Sequence, residues 1–122
     1  MGKFVIRETK TGIKFDLKAG NGEVIATSEV YTSKKSCLSG IASVQKNAPV
    51  AAVEDQTLPA PQQLPFPKFT VRHSERGSIR FYLYDEQGAL LAHSKHYTAK
   101  RSCLAGIRSI AENAPGAPVI TG

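Results

Sequence analysis

Long apolar runs are missing from this chain. No segment is long enough for a signal-peptide core or a membrane-spanning helix, and Met1-Gly2-Lys3-Phe4 leads straight into an alternating polar and apolar pattern. We therefore expect a soluble, cytoplasmic protein. Cysteine is scarce: only Cys37 and Cys103 are present. They occupy matching places on the apolar faces of two similar segments, so they read as small reduced core residues and not as a disulfide framework. There is no Gly-rich phosphate loop of the P-loop kind, and no nucleophile, base and orienting group stand in a recognisable set. Asp16, Glu23 and Glu29 lack acidic counterparts in the second half. We expect no enzyme activity and no cofactor. His93, His96 and His73 match Thr27, Val30 and Glu8, which are not ligands as a set, and the i, i+3 pair on a strand points to opposite faces. No metal site is expected.

What the chain does have is repetition. Aligning Phe4 with Phe69, and Ile13 with Ile79 after one extra residue, leaves 21 of the 46 positions from Phe4 to Pro49 identical. A unit of roughly 55–60 residues has been duplicated. Repeat 1 covers residues 2–57, an uncharged Pro-rich linker covers 58–66, and repeat 2 covers 67–122. Of the net charge of +6, repeat 1 contributes eight Lys/Arg against six Asp/Glu, and repeat 2 eight against four. A positive balance permits weak attraction to nucleic acid or another polyanion.

Lys3 to Arg7 and Lys68 to Arg72 alternate, with Phe4, Ile6, Phe69 and Val71 on one face. Ile13-Lys14-Phe15-Asp16-Leu17-Lys18 and Ile79-Arg80-Phe81-Tyr82-Leu83-Tyr84 alternate strictly and predict half-buried second strands. Turns ending in Gly22 and Gly88 lead to third strands over 24–30 and 90–96. Helices come next, with Thr32, Ser33 or Thr98 as N-cap. Cys37, Ile41, Val44 and Ala48 form one apolar stripe, repeated by Cys103, Ile107, Ile110 and Ala114. Gly40 and Gly106 within these helices predict close helix-to-sheet contact, and Pro49 and Pro115 end them. The tails Val50-Ala51-Ala52-Val53 and Ala117-Pro118-Val119-Ile120 can each add a strand, at either sheet edge. A unit this small buries little apolar surface alone, so residues 1–122 are expected to form a single pseudo-twofold domain.

Each repeat carries Ser-x-x-Tyr-Thr-x-Lys, then Ser-x-x-x-Gly-Ile-x-Ser-Val/Ile-x-x-Asn-Ala, from Ser28 to Ala48 and from Ser94 to Ala114. With Leu17-Lys18-Ala19-Gly20-Asn21-Gly22-Glu23, this pattern resembles the YegP-like family of uncharacterised bacterial proteins. The resemblance covers both repeats; the long linker and the paired cysteines depart from it. It implies an α+β fold of two tandem β3-αβ repeats sharing one antiparallel sheet, two helices on one face, and final strands exchanged between repeats. It implies no activity.

Two residue sets carry possible chemistry. Lys34, Lys35, Lys100 and Arg101 fall in first helical turns, where the macrodipole disfavours cations by up to about 1 kcal/mol each. An anion held there, with hydroxyls from Thr32, Ser33, Thr98 and Ser102, would reverse that penalty. On the outward faces of the strands lie Arg7, Lys14 and Lys18, then Arg72, Arg80, Tyr82 and Tyr84; cations interleaved with rings suit single-stranded nucleic acid. The plain alternatives are tolerated exposed cations and a solvated sheet face. We expect a small non-enzymatic binding or interaction module and a monomer, with a polyanion binder and a structural or oligomerising protein as rival readings.

Overall fold

In each repeat, alternation puts every second side chain on one face, and hairpin turns set that face of neighbouring strands in line. The computed structural model describes residues 2–121. Repeat 1 gives β1 (Lys3–Thr9), β2 (Gly12–Lys18), β3 (Val24–Ser28), α1 (Lys34–Asn47) and β4 (Ala52–Asp55). Repeat 2 gives β5 (Lys68–His73), β6 (Ile79–Tyr84), β7 (Leu90–His93), α2 (Lys100–Asn113) and β8 (Val119–Thr121). The fold is α+β. All eight strands form one sheet in the order β4-β5-β6-β7-β3-β2-β1-β8.

The tail strands are exchanged. β4, from repeat 1, pairs with β5, and β8, from repeat 2, pairs with β1. Both outer pairings are parallel, so the sheet is mixed and departs from the expected antiparallel pattern at its two edges. Each tail returns from a helix that has already crossed the sheet, and so runs alongside the first strand. At the centre, β3 meets β7 over only Thr27↔His93 and Ser28↔Ala92. The helices reinforce this short seam, because α1 packs on β2 and β7 while α2 packs on β6 and β3.

The predicted inward residues make one continuous core under both helices, including Phe4, Phe15, Phe69, Phe81, Cys37 and Cys103. Phe4 meets Phe15 edge-on at 5.7 Å, and Phe69 meets Phe81 at 5.8 Å. Both cysteines are free and buried. Gly40 and Gly106 have a specific cause. The chain entering α1 lays Tyr31 flat on Phe15, with ring centroids 6.2 Å apart, and its hydroxyl end lies against the Gly40 backbone. Tyr97 does the same between Phe81 and Gly106. A Cβ at either glycine would overlap the tyrosine. The tyrosine of the repeated motif is therefore the partner of its glycine.

Some boundaries differ from expectation. The third strands stop at Ser28 and His93, since Ser28 Oγ and Ser94 Oγ turn the chain out of the sheet. Each accepts from the second strand (Phe15 N, 2.9 Å; Phe81 N, 3.0 Å) and donates to the next carbonyl (Glu29, Lys95). The first tail strand lies at Ala52–Asp55. Val50 falls instead in the turn after α1 and is 72% exposed.

Gly40→Ala should destabilise the fold by about 1–3 kcal/mol, the usual range for overpacking. In a Tyr31→Leu background the same change should cost much less. Chemical denaturation of the four proteins measures this coupling, and strictly additive effects would contradict the Tyr–Gly contact.

Candidate functional site

The two helix starts are not equivalent. At α1 the N-cap is Ser33, whose Oγ accepts from Ser36 N at 3.1 Å. At α2 the N-cap is Ala99, with no side-chain cap. Thr32 and Thr98 precede the caps, which corrects their expected capping role. Lys35, Arg101 and Ser102 are exposed. Lys100 is engaged, with Nζ 2.6 Å from Asp55 Oδ2 at the end of β4. Burial acts to raise the Asp55 pKa, but hydrogen bonds from Lys100 and Thr57 overcome it and leave the carboxyl below its ordinary value. Lys34 makes no ion pair among the described residues and faces a cavity bounded by Ile6, Ile13 and Thr121.

The second set shares the sheet face opposite the helices. Register carries one row across this face, Ile120, Val5, Asp16, Thr27, His93, Tyr82, Thr70 and Glu54. Arg7 Nε donates to Asp16 Oδ2 at 2.8 Å, and Thr27 donates to the other oxygen. Arg72 lies 4.6 Å over the Tyr82 ring and bonds the Tyr84 hydroxyl. Arg80 donates twice to the Ser94 carbonyl. The guanidinium groups of Arg72 and Arg80 thus both lie over the Tyr82 ring, a stacking that exploits the ring's negative face.

The linker is more than a spacer. Leu64 N donates to Glu54 Oε1 at 2.7 Å, while Lys68 Nζ bonds both that oxygen, at 2.8 Å, and the Leu64 carbonyl. Phe66 packs edge-on against Tyr84 at 5.7 Å. This strap covers the outer corner of repeat 2 and explains why Glu54, Thr70 and Lys68 are buried on the face opposite the helices. Among the described residues repeat 1 has no such cover, and Ile120 at the matching position of β8 is 42% exposed.

Neither thiol is set up for chemistry. Burial raises both cysteine pKa values, that of Cys103 to about 11, so both stay protonated near neutrality. Burial, with Arg80 nearby, lowers the His93 pKa against the opposing pull of Glu29, whose carboxylate is 3.5 Å away. His96 Nδ1 is hydrogen-bonded to Ser74.

A family model described as a domain of unknown function, DUF1508, matches residues 10–55 and again 74–120. The chain belongs to the DUF1508 family. A UPF0339 protein of Bordetella pertussis is 41% identical over 117 residues, 96% of this chain and 92% of the relative. A UPF0339 protein of Treponema denticola is 64% identical over 53 residues, which cover 43% of this chain and 91% of the relative. That relative is little more than one DUF1508 repeat long. The solution structure of a protein of unknown function, yegP from E. coli, superposes with a TM-score of 0.80 at 31% identity, covering 99% of this chain and 92% of that one. A UPF0339 protein from Shewanella oneidensis also gives 0.80, at 28% identity, over 98% and 90% of the two chains.

Several repeated motif residues of this DUF1508 chain are accounted for by architecture. Besides the Ser28 and Ser94 bridges, Asn47 Nδ2 donates to the Ser43 carbonyl at 3.0 Å and Asn113 Nδ2 to that of Ser109 at 2.8 Å. The sequence marks these serines and asparagines by their identity in both repeats, and the structure adds the hydrogen bonds that account for it. The Lys100–Asp55 and Lys68–Glu54 pairs carried no such signal, since neither carboxylate has a counterpart in the second tail.

Among the described residues no helix is long and apolar enough to cross a membrane. The pH dependence of the strap rests on Glu54, whose pKa falls from 4.5 to about 2 through hydrogen bonds from Lys68, Gln56 and Leu64 N. A lowered folded-state pKa stabilises above the unfolded value, and the gain is lost as pH falls from about 4.5 towards 2. Glu54→Gln should cost about 1–3 kcal/mol at neutral pH and flatten the loss of stability over that acid range, as read by urea melts at several pH values.

Proposed function

We propose that this protein is a non-catalytic, cytoplasmic, monomeric binding module whose open sheet face takes a single-stranded polyanion, with nucleic acid as the favoured class. One observation carries this reading: an excess of cations on a face that no helix covers. The strands place Lys3, Arg7, Lys14, Lys18, Lys68, Arg72 and Arg80 outward, against the carboxylates of Asp16 and Glu54. Two ion pairs use Arg7 and Lys68, which leaves Lys3, Lys14, Lys18, Arg72 and Arg80 without a carboxylate partner among the described residues. Neighbouring strands lie roughly 4.8 Å apart and alternate residues about 6.8 Å apart along a strand, spacings a flexible phosphate chain can track. The Arg72 guanidinium plane layered on the Tyr82 ring supports stacking of the sequence-tolerant kind.

The strap shapes the footprint. It covers the β4–β5 corner, so a ligand should lie over repeat 1 and the central seam, where Lys14 and Lys18 carry no hydrogen bond to another side chain among the described residues.

Titration with short single-stranded DNA or RNA tests this. Affinity should fall roughly 10- to 100-fold between about 50 and 200 mM salt, as expected when a few phosphates are neutralised. Lys14→Glu with Lys18→Glu should weaken binding and reduce the salt slope. Binding that ignores both salt and charge reversal, or no binding at low salt, would remove this function.

A further inference from the structure

The duplication supplies an internal comparison at the corner where each helix starts above an outer strand pair. In repeat 2 that corner is filled. Asp55 stands opposite Val71 and places its carboxylate 2.6 Å from Lys100 Nζ. The chain then continues across it, with Gln56 N donating to the Val71 carbonyl at 2.8 Å and Thr57 N to Asp55 Oδ1 at 2.9 Å.

In repeat 1 the matching register position, opposite Ile6, is Thr121. Its side chain is neutral, and Lys34, the counterpart of Lys100, makes no ion pair among the described residues. Here the corner holds a cavity of about 500 Å³ lined by Ile6, Arg7, Glu8, Ile13, Lys34 and Thr121. Arg7 is already committed to Asp16, so Lys34 is the cation that remains for a ligand. Ile6 and Ile13 give apolar walls. Glu8, which stands where repeat 2 has His73, adds negative charge and disfavours phosphate or any ligand with several negative charges.

We propose that this cavity binds a single carboxylate carried on a short aliphatic stem, held by Lys34 as Asp55 is held by Lys100. The same residue in the other copy of the repeat ligates this group, and the described residues beside Lys34 leave a cavity large enough to take it. Of the residues lining the cavity only Arg7 belongs to the open sheet face, and it is held by Asp16, so the site stands or falls independently of the nucleic-acid reading. The carboxylate has two sources, a free short-chain acid or an acidic side chain of another polypeptide.

NMR titration of the full chain distinguishes them. The probes are butyrate, its neutral amide, the capped tripeptide Asp-Gln-Thr that copies residues 55–57, and that peptide with Asn in place of Asp. Both acids should shift the amides of Ile6, Glu8, Ile13 and Thr121 saturably, and the neutral probes should not. A tighter peptide points to a polypeptide source, and tighter butyrate to a free acid. Lys34→Met should weaken binding by about two- to fivefold, the scale of one exposed ion pair, while Lys100→Met leaves these shifts in place. Thr121→Asp should supply the carboxylate internally, abolish binding and raise the melting temperature. Absence of saturable shifts with either acid, equal shifts with the neutral probes, or indifference to both Lys34→Met and Thr121→Asp would overturn the proposal.

Discussion

The parallel pairing of each tail strand with the other repeat's first strand is the contact on which the rest of this structure depends. A three-stranded meander with one helix covers one face of its sheet but leaves the first strand with an unpaired edge. Exchanging the tails gives both first strands a partner and joins two small cores into one. The central seam between β3 and β7, with two residue pairs, is too short to do this alone. Cross-repeat contacts add to the exchange: Gln45 Nε2 donates to the Ala117 carbonyl, Lys46 pairs with Glu86, and Lys95 pairs with Glu23.

The two repeats share a scaffold but differ at their outer corners, and the difference arises in the tail strands and in the strap that follows the first tail. Past β4 the chain runs on into the strap, which buries Glu54, Lys68 and Thr70 and fills the corner beside Lys100. At β8 the matching positions are Ile120 and Thr121, which offer neither carboxylate. Lys68 and Lys100 are thereby tied down, while their counterparts Lys3 and Lys34 make no ion pair among the described residues.

Much of the architecture was legible because it rests on periodicity. Phe15, Leu17, Phe81 and Leu83 alternate, Cys37, Ile41 and Val44 recur at helical spacing, and the structure buries all of them. The features that were not legible depend on contacts between residues far apart or on single side chains. Val50 reads as strand by its apolarity, yet the strand carries Glu54, whose burial needs Lys68 and the strap. The Tyr31–Gly40 fit is a meeting of a ring and a backbone, and no spacing rule encodes it. Thr98 has the right side chain for a cap, but the backbone enters the helix one residue later. At the candidate site, the pairing of Lys100 with Asp55 spans 45 positions, and it changes a pair of equivalent helix starts into one occupied and one open.

The β1–β8 ladder also sets an order of events. It joins Phe4 to Val119, Val5 to Ile120 and Ile6 to Thr121, so almost the whole chain separates the two partners. Loop-closure entropy makes such a contact late in folding, and non-local pairing slows the search. Until it forms, β1 is a bare edge strand with free backbone groups beside Phe4 and Ile6, the kind of edge that pairs with other molecules. The exchange that completes the native sheet therefore leaves its first strand exposed to misassembly for longest, and the cations at Lys3 and Arg7 act as charged gatekeepers of that edge during the interval.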